Sequence, residues 1–404
     1  MDNVGLTVEV TRAGIRDLEP LRGLPVTSLY CAGNSIEDLS PLTGMPLVTL
    51  NCGGNPIRSL EPLRGMPLDT LLCECAHVRS LEPLSGMPLT MLNCGGCLLE
   101  DGLEPLRGMK LTWLGCWGNQ LETLEPLKGL PLQALYCDAN RITSLEPLRG
   151  MPLGTLMCSG NQIDNLEPLT GMPLIILHCG GNQIENLAPL RGMSLTMFSC
   201  HANRVRTIEP LVGMPLGSCT CGVNPLRGIG TFIRNPPESF YFDCDTLPTE
   251  ELEWIYRAWS RDFRFAEHAK NTAILLAIRQ GQHDKLREYA AEFGGHHYLF
   301  VPRLLTWSEA RDFCASVGGH LLTISGREEN AFVASLFPRG AWCWIGLTTK
   351  NGQHEWVTGE AVVYSTFVDP LRERVDGPKV FSSGSWSYDV WPDARNCFVL
   401  EWDD

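Results

Sequence analysis

The sequence predicts an α+β multidomain protein with a solenoid of short repeats, a short helical connector and a separate α+β domain. Ten cysteines recur every 21 residues with a single 22-residue step, and a fixed period of this size is typical of a solenoid. The period fails after Arg227, and apolar residues at helical spacing follow. From Tyr298 onward, amphipathic helical patterns precede short aromatic-rich strands. The ten cysteines are Cys31, Cys52, Cys73, Cys94, Cys116, Cys137, Cys158, Cys179, Cys200 and Cys221.

The repeating unit has the form Leu-x-x-Leu-x-Cys-x-x-Asn, as in Leu47, Leu50, Cys52 and Asn55. One coil of this length cannot bury its own apolar side, whereas stacked coils share a continuous core. The phrase resembles the short form of the leucine-rich repeat, in which the leucines and the cysteine point inward from a strand. The return stretch Leu-Glu-Pro-Leu-Arg-Gly-Met-Pro contains proline and glycine, so we expect 3₁₀ or irregular structure on the convex side.

We call the ten repeat cysteines the ladder cysteines. An asparagine follows each of them by three residues, except where Ala76 and Cys97 replace it. Amides buried in a line can bond backbone groups of neighbouring coils that would otherwise stay unpaired. The positions are Asn34, Asn55, Asn119, Asn140, Asn161, Asn182, Asn203 and Asn224.

The chain holds 17 cysteines, which would suggest disulfides in a small secreted protein. Ten of them occupy one repeat position, where a small buried hydrophobe fits. Neighbouring thiols on parallel coils point alongside one another, so we expect free thiols and a reducing, cytoplasmic compartment. No second pair at zinc-ligand spacing follows Cys94-x-x-Cys97, and we expect no metal and no cofactor.

Charge and hydropathy argue against a nucleic-acid partner, a secretory leader and a membrane span. The net charge of −14 and a pI near 5.2 leave no basic stripe for phosphates, so we expect no nucleic-acid partner. The first 20 residues lack a leader pattern, and no stretch reaches 18 consecutive apolar residues. We therefore expect neither export nor a membrane span.

Strand alternation exposes the residues that flank the second leucine of each repeat on the concave face. Contiguous exposed apolar surface often marks a binding site, and Trp and Tyr are frequent hot-spot residues. The alternative is that these side chains pack on one another across coils or under the C-terminal half. The predicted protein-binding residues are Tyr30, Leu72, Met91, Trp113, Trp117, Tyr136, Met157, Ile176, His178 and Met197.

The predicted domains are the solenoid at 1–234, with an N-terminal cap and about ten coils, a helical connector at 235–294 and the α+β domain at 295–404. In the connector, Thr249 is predicted as an N-cap before Glu250 and Glu251. Two further helical segments are predicted at about 266–280 and 283–293.

The last domain resembles a C-type lectin-like domain. The match consists, in chain order, of Trp307, Ala310 and Cys314, then Gly-Gly-His-Leu-Leu-Thr-Ile at 318–324, Glu328, Glu329, Asn330 and Phe332, Trp-Ile-Gly-Leu at 344–347, Trp-Val-Thr-Gly-Glu at 356–360, and Phe-Val-Leu-Glu-Trp at 398–402. The resemblance implies an α+β fold whose sugar-binding members hold calcium through a Glu-Pro-Asn-like triplet and a Trp-Asn-Asp motif.

Those calcium ligands are mostly missing. The first loop has Val-Asp-Pro-Leu at 368–371, and the second motif aligns with Trp386-Ser-Tyr-Asp389 or with Trp-Pro-Asp at 391–393. Calcium takes six to eight oxygen ligands, so we expect a calcium-independent site at Asp369, Trp386, Asp389 and Asp393. The resemblance also implies a disulfide that this chain cannot form, because Leu400 occupies the position at which the family has the cysteine that pairs with Cys314. A rearranged bridge with Cys343 or Cys397 remains an alternative.

No phosphate loop, metalloprotease helix or nucleophile elbow occurs, and the nine histidines are scattered. The sequence therefore predicts a non-catalytic recognition protein that binds a protein through the solenoid and a second ligand through the lectin-like domain. One alternative is a carbohydrate-binding lectin with the solenoid as spacer. Another is a regulatory or targeting module associated with a serine/threonine kinase, since the module order resembles large environmental-bacterial chains that carry such kinases.

Overall fold

The computed structural model describes residues 5–234, 237, 239–241, 247–261, 266–337, 342–350, 353–365, 376–381, 384, 386–389 and 395–403. The chain divides into two compact units, Met1–Asn224 and Pro225–Asp404.

The first unit is a solenoid whose parallel strands pair in sequence order. Neighbouring strands keep one register, so that Leu50 lies opposite Leu71 and Leu71 opposite Leu92. The strands are β1 (Leu6–Glu9), β2 (Val26–Tyr30), β3 (Thr49–Asn51), β4 (Thr70–Leu72), β5 (Met91–Asn93), β6 (Trp113–Gly115), β7 (Ala134–Tyr136), β8 (Thr155–Met157), β9 (Ile176–His178), β10 (Met197–Ser199) and β11 (Ser218–Thr220).

The convex side consists of short 3₁₀ helices, which confirms the expectation from proline and glycine. Proline is the second residue of each, and its fixed φ suits the start of a helix. The chain then turns through glycine in the left-handed region, as at Gly65 with φ +72°. The helices are Glu19–Leu21, Ser40–Leu42, Glu61–Leu63, Glu82–Leu84, Glu104–Leu106, Glu125–Leu127, Glu146–Leu148, Glu167–Leu169, Ala188–Leu190 and Glu209–Leu211.

All ten ladder cysteines are fully buried, as predicted, and they line up through the core of the solenoid; we call this row the cysteine spine. The asparagine ladder also forms as expected. The Asn161 side-chain amide donates to the carbonyls of Cys137 and Cys158, each at 3.0 Å, and its Oδ1 accepts from the Ile142 backbone N–H at 3.0 Å. Each asparagine of this kind satisfies backbone groups of its own coil and of the preceding coil.

Cys97 takes over part of the asparagine's role in its coil. Its thiol donates to the Cys73 carbonyl at 3.4 Å, the same type of carbonyl that the ladder amides reach. In the next coil, Asn119 Oδ1 is buried and accepts no hydrogen bond from the described residues. The coil before it carries the one-residue insertion near Glu100, Asp101 and Gly102, which shifts the backbone donor that this oxygen would otherwise meet.

The second unit begins with a 3₁₀ segment, Ile229–Arg234, and a short strand, β12 (Ser239–Tyr241). Two α-helices follow, α1 (Thr249–Trp259) and α2 (Ala266–Arg279). Helix α1 starts one residue earlier than predicted, because Pro248 rather than Thr249 occupies the N-cap position. The predicted helix at 283–293 is instead a 3₁₀ helix, His283–Tyr289, followed by a strand, β13 (Ala291–Phe293).

The remainder of this unit is an α+β fold. Its elements are β14 (His296–Leu305), α3 (Trp307–Ser316), β15 (His320–Leu321), α4 (Arg327–Ala334), β16 (Trp342–Trp344), β17 (Leu347–Lys350), β18 (Gln353–Trp356), β19 (Asp376–Phe381), β20 (Trp386–Asp389) and β21 (Asn396–Asp403). They form a mixed sheet in the order β13, β14, β21, β16, β19 and β20; β15 pairs with β21, and β17 with β18.

The two faces of the central strands bury two separate cores. On β14, Tyr298 and Phe300 join the core with helix α4, whereas Leu299 and Val301 face α3. Helix α2 contributes Ile274 to the second core, so it packs with the lectin-like sheet. The boundaries at 234 and 294 stay predictions.

Candidate binding surfaces

The concave face of the solenoid presents two rows of side chains. In each three-residue strand from β3 to β11 the middle residue is buried and the flanking residues are at least partly exposed, apart from Gly115. The first row runs through Thr70, Met91, Trp113, Ala134, Thr155, Ile176 and Met197. The second row runs through Asn51, Leu72, Asn93, Gly115, Tyr136, Met157, His178 and Ser199.

An aromatic pair lies in the middle of this face. The rings of Trp113 and Tyr136 are 5.0 Å apart between centroids and tilted by 37°, a favourable aromatic arrangement. The Trp113 ring also covers Gly115, where a Cβ would lie 3.0 Å from Cη2. Both aromatic side chains are half-buried, and Met91, which lies opposite Trp113, is 36% exposed. The rings therefore pack on each other and still offer surface to a partner.

Trp117 lies just beyond the strand of its coil, and its indole covers the backbone of the preceding coil. A Cβ at Gly95 would fall 2.2 Å from Trp117 Cε2, so glycine is required beneath the ring. The same arrangement recurs where the His201 ring covers Gly180. These aromatic side chains lie flat on the solenoid.

His178 is half-buried in the second row, between Met157 and Ser199. Burial lowers the pKa of His178, and the nearby Asp138 carboxylate opposes this effect. Burial also raises the pKa of Asp138, although this carboxylate accepts the Ser159 N–H at 2.9 Å. The sequence analysis did not select Asp138, because its position follows the strand.

The predicted concave residues do not all come together. Tyr30 is separated from Leu72 by Asn51, so it lies away from the middle coils. Asn93 and Gly115 also interrupt the apolar row. Each interrupting residue directly precedes a ladder cysteine, so the repeat period in the sequence already places it in this row.

Trp386, a member of the predicted lectin ligand site, lies in the core of the domain. Its side chain is fully buried, and its indole N–H donates to Asn330 Oδ1 at 2.8 Å. Asn330 in turn donates to the Gly384 carbonyl at 3.0 Å. The Trp386 ring also packs edge-on against Trp356, with the two ring centroids 5.7 Å apart. Two other members of the predicted set, Asp369 and Asp393, lie outside the described residues, and of the strand residue Asp389 only the backbone is described.

The three cysteines of the lectin-like domain are free and buried. Cys343 and Cys397 lie opposite each other on paired strands, whereas Cys314 belongs to the core on the other face of the sheet. In the part of the chain that the structure describes, none of the three forms a bridge.

A cluster that the sequence analysis did not select lies at the ends of β14 and β21. It contains His296, His320, Glu401 and Asp403. His320 and Glu401 occur within the stretches that carry the lectin resemblance, but their meeting with His296 depends on strand pairing.

Among the described residues, every helix is too short or too polar to cross a lipid bilayer.

Comparison with known proteins places residues 303–400 in the family model of the lectin C-type domain. The alpha chain of the snaclec bitiscetin from Bitis arietans is 31% identical over 91 residues, covering 20% of this chain and 70% of the relative. Asialoglycoprotein receptor 2 of Rattus norvegicus is 49% identical over 69 residues, covering 17% of this chain and 22% of the receptor. The chain thus spans only about a fifth of the asialoglycoprotein receptors that it matches.

Among solved structures, an internalin (InlF) of Listeria monocytogenes is similar, with a TM-score of 0.54 and 27% identity. The similarity covers 56% of this chain and 71% of the internalin. It agrees with the leucine-rich repeat solenoid that the 21-residue period predicts.

Proposed function

Because the chain belongs to the C-type lectin family through residues 303–400, we propose that it is a non-catalytic recognition protein with two binding surfaces. The solenoid binds a protein partner through its concave face. The lectin-like domain binds a second ligand without calcium. The half-buried aromatic pair Trp113 and Tyr136, which keeps part of its surface open on the concave face, is the observation that carries the first part.

The composition of the concave rows supports a protein partner. From β3 to β11 neither row contains Asp, Glu, Lys or Arg, although the chain has 46 acidic and 32 basic residues. The centre of a protein interface is depleted of charge and enriched in Trp, Tyr and Met. Met91, Trp113, Tyr136, Met157 and Ile176 fit this composition and form the concave patch.

The test is a comparison of binding partners captured by the wild-type chain and by a Trp113→Ala/Tyr136→Ala variant. Truncating a hot-spot aromatic costs about 2 kcal/mol or more, which corresponds to about 30-fold in affinity. Affinity capture from the native host with quantitative mass spectrometry identifies the partner, and calorimetry measures its affinity. We expect the double variant to lose at least this factor.

Trp254→Ala is the matched control, because Trp254 is 44% exposed on α1 and lies outside the concave patch. It should retain the partner. The melting temperatures of all variants should agree within a few degrees, since the pair is only half-buried. Equal affinity of the double variant and the wild type would show that the two rings only pack on each other.

A carbohydrate-binding lectin is the second candidate, with the solenoid as spacer. The asialoglycoprotein receptor 2 similarity over 69 residues favours it. A glycan array with calcium and with chelator separates the two candidates. Calcium-dependent glycan binding, together with unchanged binding by the concave variants, would establish the second candidate instead of the first.

A further inference from the structure

Three side chains that can bind a metal ion, His296, Glu401 and Asp403, converge where β14 and β21 pair, and His320 on β15 lies beside them. His296 lies opposite Asp403 on the antiparallel strands, and His320 lies opposite Glu401. His296 Nδ1 is 2.8 Å from Asp403 Oδ1 and 3.1 Å from Glu401 Oε1. His320 Nε2 is 3.2 Å from Asp403 Oδ2. The four groups belong to three different strands, so the fold itself brings them together.

Glu401 is the buried member of this cluster, with a side chain only 1% exposed. Its Oε2 accepts from the backbone N–H of Thr323 at 2.7 Å and from the Thr323 hydroxyl at 3.0 Å. Its Oε1, directed at His296, accepts no hydrogen bond from the residues that the structure describes. The nearest polar atom to this oxygen is His296 Nδ1, 3.1 Å away, and a positive charge shared by the two, from a proton or a metal ion, would offset the cost of burying the carboxylate.

The surroundings of His320 also indicate a cation. Its Nδ1 lies 3.0 Å from the Leu321 carbonyl, which can only accept, so Nδ1 carries the proton. The other ring nitrogen, Nε2, faces Asp403 Oδ2 across 3.2 Å. Either a proton on Nε2 or a metal ion between the two atoms makes this contact favourable, and a zinc titration separates the two. A hydrogen bond from Nδ1 to a backbone carbonyl is the usual way in which a metal-binding histidine is oriented.

We propose that His296, Glu401 and Asp403 bind a divalent transition-metal ion, that rotation of His320 supplies the fourth ligand, and that zinc is the best match to this ligand set. Zinc takes imidazole nitrogens and carboxylate oxygens at about 2.0–2.2 Å, which places the ligand atoms of a tetrahedral site about 3.3–3.6 Å apart. The contacts above are 2.8, 3.1 and 3.2 Å, so small rotations of the exposed side chains are sufficient.

Calcium fits this cluster less well, because it prefers six to eight oxygen ligands and here two of the four ligands are imidazole nitrogens. The site would fasten the C-terminal strand β21 to β14 and β15. Its expected role is therefore structural. It is independent of the concave patch and of the loop residues predicted to bind a ligand.

The experiment titrates Zn²⁺ into the metal-free full-length chain by calorimetry and follows Co²⁺ binding by visible absorption. Cys75→Ser is included in every protein, because Cys75 is an exposed thiol that could bind zinc. We expect one zinc ion per chain and an absorption spectrum typical of tetrahedral cobalt. His296→Gln or Asp403→Asn should each weaken binding by about tenfold or more, and His296→Gln/His320→Gln should abolish it.

Zinc at about one hundred times its Kd should raise the melting temperature of the parent protein by about 5 °C or more, and that of the double variant not at all. His77→Gln is the matched control, because His77 is exposed on the solenoid. His296 and Asp403 are 43% and 58% exposed, so their variants should fold, and circular dichroism of the metal-free proteins checks this. Equal zinc binding by the double variant, no zinc binding by the parent, or calcium binding at these residues in place of zinc would overturn the proposal.

Discussion

At the scale of single residues, one asparagine amide connects two coils of the solenoid. Asn161 bonds four backbone groups, two of them in the preceding coil, and it is almost fully buried. Cys97 performs only part of this role, because a thiol offers one donor where an amide offers two. The repeat therefore tolerates a substitute where another side chain can reach the carbonyl.

Replacing Asn161 by alanine should lower the free energy of unfolding by about 1–3 kcal/mol, because buried backbone groups lose their partners. Asn165→Ala is the matched control. Asn165 is exposed on the convex side and accepts one hydrogen bond, from the Glu167 N–H. Its removal should change stability by about 0.5 kcal/mol or less. Urea unfolding measures both variants, and equal losses would show that the buried ladder adds no stability of its own.

At the scale of elements, each strand from β3 to β11 is only three residues long and owes its place to its neighbours. Leu71 in the middle of β4 is buried between equivalent leucines, while the flanking residues face outward. Glycine at 95 and 115 then leaves room for indole rings on the concave face. The repeat thus fixes the core and leaves the exposed rows free to vary.

The cysteine spine predicts that the ladder thiols react only after unfolding. All ten are buried, and burial raises the pKa of Cys31 and of Cys116 to about 12, so little thiolate forms there at neutral pH. Hydrogen bonds with Cys200 and Cys219 instead lower the pKa of Cys221, whose protection therefore depends on burial alone. Alkylation of the native protein followed by peptide mass spectrometry should label Cys75, which is exposed, and leave the ladder unmodified. In urea all ladder positions should react.

Cys75→Ser provides the control, because it removes the exposed thiol and leaves the spine intact. Disulfides between neighbouring ladder cysteines, found in protein purified without reductant or air oxidation, would contradict a reduced, packed spine.

At the scale of the whole molecule, the lectin-like domain buries its aromatic side chains with protein groups alone. Trp344 donates its indole N–H to the Leu305 carbonyl at 2.7 Å, and Trp386 donates to Asn330. Each ring is almost fully buried, and such burial contributes roughly 1.5–3 kcal/mol or more. The core therefore has the contacts that it needs for folding in the absence of calcium.

We expect millimolar calcium and chelator to give the same melting temperature for the full chain, within about 1 °C. The expectation rests on the missing oxygen ligands in the lectin loops, since calcium requires six to eight of them. Differential scanning calorimetry of metal-free protein is the measurement, with magnesium as the ionic-strength control. A rise of several degrees with calcium alone would falsify calcium independence.

The sequence by itself determined the repeat period, the buried spine, the convex 3₁₀ turns and the lectin-like fold. These features are encoded in spacing along the chain, because each repeat position meets its equivalent in the next coil. Only the tertiary structure showed that Trp113 packs on Tyr136, that Trp386 is buried, and that His296 meets Glu401 and Asp403. The contact between Trp113 and Tyr136 depends on how their side chains pack, and those of His296 depend on the pairing of strands more than 100 positions apart. Local spacing along the chain predicts neither.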